Sequence, residues 1–518
     1  MVHAMPTYSR FEQKHVAAIV SKLVCHDRVI FKGYLPFGGT DQLNGWIDYG
    51  LKVLRKDFLS WAEKRSQELV DHAQQLAEKH QAPYQYLQGS HRKEDLVQKL
   101  LKERPITSGL VVVFCCMETC RAVTMIQGRH APVITWKQRP QRVLYFYFLD
   151  PEFGLRYVRL QTWFPFDVQV YLNGHDWLAC QLQQKRIGFE QVDNALLQID
   201  NVKAAQRLAD CFPQLDWCKV LSGWVKAILP PTSVKGLQPH EYYWCLQQVE
   251  LSADLEFRDA ATLTKLYPQL LDHATFQFSA SDVMQFLGRS LHHRFQGTVQ
   301  TNSPRRWPGA RVKHQMKGNW LKMYNKGPRL LRIEMVINQP TEFKVRRSVQ
   351  RQGRRCQAWV AMRKGVSNFP DFTRHAHAAI QRYLDALAVV DLPVDVSALQ
   401  RACEPRQYRH RQQRGLQPLR TSEQQLFRAV MHGEHRIKGF RHRDLQRLLH
   451  TGQAATPQQQ RQRRYQLTRQ LQLLRAHRLI AKVPRTHRYR ITTLGEQLMT
   501  QSLALLRPNR SSTFSNVA

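Results

Sequence analysis

The feature that most restricts how this chain folds is a period of two. It runs through Asn319-Trp320-Leu321-Lys322-Met323-Tyr324-Asn325-Lys326 and resumes after Gly327-Pro328 through Leu330-Leu331-Arg332-Ile333-Glu334-Met335. Successive side chains of a strand point to opposite sides, so this pattern predicts two half-buried strands joined by a turn. Pairing Tyr324 with Arg332 sets Lys322 opposite Glu334, and we expect Met323 opposite Leu331 and Leu321 opposite Ile333. A slip of one residue would mix the faces. The polar face so formed, Lys322, Tyr324, Arg332 and Glu334, either holds a phosphate or makes a surface ladder of ion pairs.

This hairpin lies in the basic stretch Arg305 to Arg347, and the excess of cations extends over the whole chain: 77 Lys+Arg against 40 Asp+Glu leave a net charge of +37. A polyanion is the natural partner. Nucleic acid fits better than a membrane, because no amphipathic anchor accompanies the charge. A hydrophobic content of 43% argues against a disordered chain, and 518 residues suffice for several cores. No apolar run approaches the ~18 residues that span a bilayer, and the opening MVHAMPTYSRFEQKHVAAIV lacks the order of a secretory leader. A soluble, cytoplasmic protein is expected. The ten cysteines show no paired C-x-x-C spacing and are expected to be reduced; adjacency makes Cys115, Cys116 and Cys120 an awkward tetrahedral zinc set.

The expected fold class is α+β: a mixed multi-domain body of antiparallel sheets and helices followed by a distinct C-terminal domain. We expect an α/β domain over 1–174, a mainly helical region over 175–300, a β-rich basic domain with a closing helix over 301–395, a basic linker over 396–420 and a last domain over 421–508. Arg28 to Phe31 and Leu110 to Cys115 read as strands, and Arg142 to Leu149 with Gly154 to Trp163 as a hairpin. Glu118, Asp150 and Glu152 are either turn and surface residues or a carboxylate cluster for a metal. His175 to His293 reads as helical, including Glu241 to Val249. Glu342 to Val345 and Gln357 to Val360 suggest more strands of the central sheet, linked by a phosphate-tracking loop with Arg346, Arg347, Arg351, Arg354 and Arg355.

From Ser422 onward, Leu426, Phe427, Ala429 and Val430 predict one helix, Leu445, Leu448 and Leu449 a second, and Tyr465, Leu467, Leu471 and Leu474 a longer third after Pro457. The phrase LLRAHRLIAKVPRTHRYRITTLG then supplies a short hairpin and the start of a last helix. This order resembles the winged-helix family, a helix-turn-helix variant. The resemblance implies the third helix in a major groove, with Arg461, Arg463, Arg464 and Arg469 toward DNA and Arg485, His487 and Arg488 on the adjacent backbone. Lys313, Lys317, Lys322, Arg346 and Arg347 are the expected backbone contacts of the basic body.

The segments DRVIFKGYLPFGG, RVLYFYFLDPEFGLRYVRLQTWFPF and WPGARVKHQMKGNWLKMYNK resemble a family of uncharacterised bacterial proteins, a likeness that brings no assigned chemistry. Separately, LKMYNK followed by LRIE is similar to the Tyr-x-Lys…Arg-x-Glu hairpin of plasmid rolling-circle replication initiators. That similarity implies Tyr324 as nucleophile, Lys326 and Arg332 as stabilisers of phosphate charge, and Glu334 as a ligand of magnesium or manganese. The sequence therefore supports a DNA-binding protein of a regulatory system or mobile element, with two alternatives: a metal-dependent DNA-nicking enzyme and an RNA-binding component of a ribonucleoprotein.

Overall fold

The computed structural model describes residues 9–35, 40–88, 92–128, 132–230, 242–292, 295–303, 305–306, 309–351, 353–390, 396–409, 411–432, 435, 439–450, 456–484 and 486–505. Its strands are β1 (Ile19–Tyr34), β2 (Tyr84–Leu87), β3 (Gly109–Ile126), β4 (Val133–Asp150), β5 (Gly154–Gln161), β6 (Val168–Asn173), β7 (Glu190–Val192), β8 (Ala195–Leu197) and β9 (Tyr243–Phe257). Then follow β10 (Val299–Asn302), β11 (Arg305–Arg306), β12 (Gly309–Met316), β13 (Asn319–Gly327), β14 (Leu330–Ile337), β15 (Lys344–Arg351), β16 (Arg354–Ala361), β17 (Arg406–Tyr408), β18 (Arg411–Gln413), β19 (Ile480–Lys482) and β20 (Tyr489–Ile491). The helices are α1 (Arg10–Lys14), α2 (Thr40–Gly45), α3 (Phe58–Lys79), α4 (Lys93–Glu103), α5 (Gly174–Gln184), α6 (Val202–Cys211), α7 (Trp217–Lys226), α8 (Ala260–Phe276), α9 (Ala280–Phe286) and α10 (Phe369–Leu387). The C-terminal part adds α11 (Val396–Cys403), α12 (Thr421–Val430), α13 (His442–Leu449), α14 (Pro457–Ala476) and α15 (Thr493–Leu505).

The class is α+β, as expected. The chain divides into two compact units, one of Val20–Phe257 with Gly318–Ala378 and one of Met1–Ile19, Arg258–Lys317 and Ala379–Ala518. In the former, hydrogen-bonded neighbours run β13-β14-β9-β1-β6-β5-β4-β3-β2. The pairs β13–β14, β14–β9, β1–β6, β6–β5, β5–β4 and β4–β3 are antiparallel, and β3–β2 is parallel. The pattern of every second residue fixes this register, because a one-residue slip would exchange the two faces. An aromatic cluster of Phe31, Phe212, Trp217 and Phe369 packs at ring separations of 4.7 to 5.9 Å.

Three local expectations are corrected. Residues 243–257, expected to be helical, form β9; the aromatic and apolar run Tyr243-Trp244-Cys245-Leu246 at its start masks the alternation that begins at Glu250. The segments at Lys344 and Gln357 belong to a separate two-stranded ribbon, β15–β16, whose arginines lie within the strands and not in a connecting loop. Finally, Met323 pairs with Ile333 and Leu321 with Met335, since antiparallel partners advance one residue at a time in opposite directions; Tyr324–Arg332 and Lys322–Glu334 pair as expected.

In the other unit, β10 and β11 pair with β12. Its C-terminal part has α12, α13 and α14 around Leu426, Phe427, Leu445, Leu467, Leu471 and Leu474. Thr456 caps α14, its Oγ1 accepting from Gln459 N–H at 3.3 Å, and Pro457 occupies the first turn, where its missing N–H costs nothing. The β19–β20 hairpin follows, and a bridge from Phe440 to Tyr489 adds a third strand-like contact. That bridge depends on Gly439, whose φ of 65° suits glycine and whose added Cβ would lie 2.3 Å from the Tyr489 carbonyl oxygen.

Candidate functional site

Burial turns the polar face of the central hairpin into a chemical site. Every residue of β14 is buried, so Arg332 and Glu334 cannot keep their hydration and must find partners. The β14–β9 register supplies them: Arg332 lies opposite Asp254 and Glu334 opposite Ser252. Arg332, 0% exposed, donates from Nε to Asp254 Oδ1 at 2.5 Å and from Nη2 to Oδ2 at 2.6 Å, a bidentate fork. Its Nη1 reaches Asp27 Oδ2 at 3.3 Å and Asn194 Oδ1 at 3.2 Å.

The surrounding elements hold these groups in place. Asn194 sits in the two-residue turn between β7 and β8, where Asp193 takes a φ of 55°, a conformation that Asp tolerates in hairpin turns. Asn194 and Asn173 each donate from Nδ2 to Asp27 Oδ1 at 2.8 Å. His175 opens α5; its N–H donates to the Asn173 cap at 2.8 Å, and its Nε2 lies 3.6 Å from Asp254 Oδ2. Burial, the largest influence on both carboxyls, raises Asp27 and Asp254, yet the Arg332 guanidinium and the neighbouring His175 ring hold each below its ordinary 3.8.

A second group lies beside this one. Tyr324 donates its hydroxyl to Glu334, and Lys322 Nζ lies 2.9 Å from Glu334 Oε2 and 3.9 Å from Glu250 Oε2. Burial pushes the Tyr324 phenol far up, and Glu334 adds to the effect. Burial also raises Glu250 from its ordinary 4.5 to about 7, with Lys322 opposing and Glu334 reinforcing. A carboxyl that exchanges its proton near neutrality beside a lysine, a carboxylate and a phenol can accept or deliver a proton.

Glu250 yields a pH prediction. Its folded pKa lies above its unfolded value, so its contribution to stability is fully present below about pH 4.5 and is lost as pH rises through about 7. We expect Glu250→Gln to flatten that decline in urea unfolding measured from pH 4.5 to 8; a profile parallel to wild type would refute the assignment.

The hairpin residues named from sequence are thus partly assembled. Tyr324, Lys322 and Glu334 meet, but Arg332 is turned into the Asp254–Asp27 pair, and Lys326 is engaged by Asp193 at 2.8 Å and by Asn194. The surface ladder of ion pairs is corrected to a buried network. Sequence reading missed Asp27, His175, Asn194, Glu250 and Asp254. Glu118 accepts from Tyr145 at 2.6 Å and from Arg159 Nη2 at 2.8 Å, whereas Asp150 caps its own turn and pairs with Arg156 at 3.1 Å. The three acidic residues considered as a metal cluster do not converge: Glu118 faces Gln141, far along β4 from Asp150. Among the described residues, no group of three or more His, Cys, Asp or Glu side chains is arranged around a metal position. All ten cysteines are free, and the adjacency of Cys115 and Cys116 in β3 sends their side chains to opposite faces.

The expected nucleic-acid contacts lie elsewhere. Arg461, Arg464 and Arg469 are exposed on α14, Arg463 is half-buried, and the Arg469 guanidinium stands over the Tyr465 ring at 5.6 Å. His487 is exposed; Arg488 is half-buried and donates to Gly439 O at 3.4 Å. Arg485 lies outside the described residues. Lys313 is half-buried on β12, Lys317 packs over Phe295 at 5.3 Å, and Arg347 pairs with Asp371 at 3.3 Å while Arg346 is exposed. Comparison with family models, curated proteins and solved structures finds no match to this chain.

Proposed function

We propose that this chain is a DNA-binding protein whose C-terminal helices and hairpin act as a winged-helix domain, with α14 in the major groove and β19–β20 as the wing. The observation that carries this reading is the composition and exposure of α14. It contains no Asp or Glu, and it turns Arg461, Arg464, Arg469 and Tyr465 to solvent while Leu467, Leu471 and Leu474 bury the other side. The major groove admits an α-helix, and a hairpin that follows such a helix can lie on the adjacent backbone. Binding of the full chain to a fluorescein-labelled 30-base-pair duplex, followed by anisotropy from 50 to 300 mM salt, tests it. Three arginine–phosphate contacts alone require a slope of log K against log salt of about −2.7 or steeper; no binding, or a flat slope, would contradict the reading.

A second reading, DNA nicking through Tyr324, is favoured by one contact: the Tyr324 hydroxyl donates to Glu334, a carboxylate placed to take the proton of an attacking phenol. Incubation with a labelled single strand and magnesium or manganese is expected to give a covalent adduct that Tyr324→Phe abolishes. An adduct that survives the substitution, or none on strands that bind, would refute it.

A further inference from the structure

We infer that the β15–β16 ribbon is an arm that lies in the major groove of duplex DNA, reading base edges with one face; this rests on the DNA-binding function proposed above. From Lys344 to Ala361 the sequence carries Lys344, Arg346, Arg347, Arg351, Arg354 and Arg355 and no Asp or Glu. Such a run repels itself and attracts a polyanion. The ribbon forms a two-stranded sheet of its own, with strands of 8 residues each, about 25 Å in length.

Its register separates two faces. On one, Arg346 opposes Trp359, Ser348 opposes Gln357, and Gln350 opposes Arg355; all six side chains are exposed, Trp359 to 66%. On the other, Val345 is buried, Val360, Ala358 and Val349 are half-buried, and Arg347 is tied to Asp371. These contacts anchor the base of the ribbon, while Cys356 and Arg354, nearer the turn on the same side, are exposed. A tryptophan in water beside an arginine is a cost that a partner removes.

The exposed chemistry suits a groove and not only a backbone. Arginine matches the guanine O6/N7 edge and glutamine the adenine N6/N7 edge, and the major groove, about 12 Å wide, admits a two-stranded ribbon. Arg346, Gln350, Arg355 and Gln357 alternate along one face at strand spacing, so neighbouring bases meet successive donors.

The test uses the full chain and a 40-base-pair duplex enriched by it from a random pool. Arg346→Ala/Gln350→Ala/Arg355→Ala changes only exposed side chains. We expect its salt slope to fall by about 1.8, at about 0.9 for each arginine, and guanine N7 protection from dimethyl sulfate to disappear over part of the wild-type footprint. Arginine-to-lysine at 346 and 355 should restore the slope without restoring the protection. Unchanged slope and protection in the alanine variant, alongside a loss on substituting α14 arginines, would overturn the arm and leave the DNA-binding reading intact. Protection confined to adenine N3, or binding to single strands alone, would also overturn it. Failure of the wild type to bind any duplex would remove both.

Discussion

Replacing Arg332 with methionine is expected to destabilise the protein by about 3–5 kcal/mol, the cost of breaking a buried ion pair from one side. Arg332 is 0% exposed and forks onto Asp254, which is 2% exposed, while Asp27 takes a third donor. Methionine fills much of the space but leaves two buried carboxylates without their cation. They then either ionise in a low-dielectric interior or take up protons, and both routes cost free energy. Urea unfolding at pH 7 measures the loss. The pH dependence should change with it: in wild type, Asp27 and Asp254 lie below their ordinary 3.8, so their stabilisation is present above about pH 4 and fades as pH falls further. In the variant, burial without the cation moves both carboxyls up, so that fade should shrink or reverse, with stability no longer falling as pH drops below about 4. A loss under 1 kcal/mol would mean that the carboxylates have another source of compensation.

The second large effect is on binding. Arg461→Ala/Arg464→Ala/Arg469→Ala is expected to weaken duplex affinity roughly 100-fold near physiological salt and to reduce the salt slope by about 2.7, the loss of three phosphate contacts. None of the three side chains is buried, and the Leu467, Leu471 and Leu474 packing face is untouched, so folding should be retained. Lysines at the same positions should keep most of the slope, because the counterion term depends on charge, and lose more of any sequence preference, because lysine lacks the guanidinium fork. An unchanged slope in the alanine variant would mean that α14 does not touch the backbone.

The hairpin and the C-terminal helices were legible because polar and apolar residues alternate in them at the period of a strand or of a helix. In β13–β14, Lys322, Tyr324, Arg332 and Glu334 alternate with Leu321, Met323, Ile333 and Met335; in α14 the leucines recur at helical spacing. The polar side of the hairpin nevertheless proved to be interior. Its burial comes from neighbours distant in sequence, chiefly β9, which no local pattern announces.

A signal for β9 was present. Glu250-Leu251-Ser252-Ala253-Asp254-Leu255-Glu256-Phe257 alternates strictly, and every second residue is polar. The aromatic run Tyr242-Tyr243-Trp244 and the apolar residues that follow obscured it as helical core. Asp27, His175 and Asn194 carried no such sign, because the middle of a strand, the first turn of a helix and a two-residue turn converge only through the sheet order. The β15–β16 arginines were read as a loop because a ribbon exposed on one face has too few apolar residues to show a period.

Contact of α14 with DNA can be read directly by mapping which residues touch the duplex. Tyr465 is 70% exposed on α14 beside Arg464 and Arg469, within reach of a base in the groove that this helix would occupy. Ultraviolet crosslinking of the full chain to duplexes substituted with 5-bromodeoxyuridine, followed by peptide mass spectrometry, should place an adduct on the peptide that contains Tyr465. Robust crosslinking that leaves every α14 peptide unmodified would contradict the account.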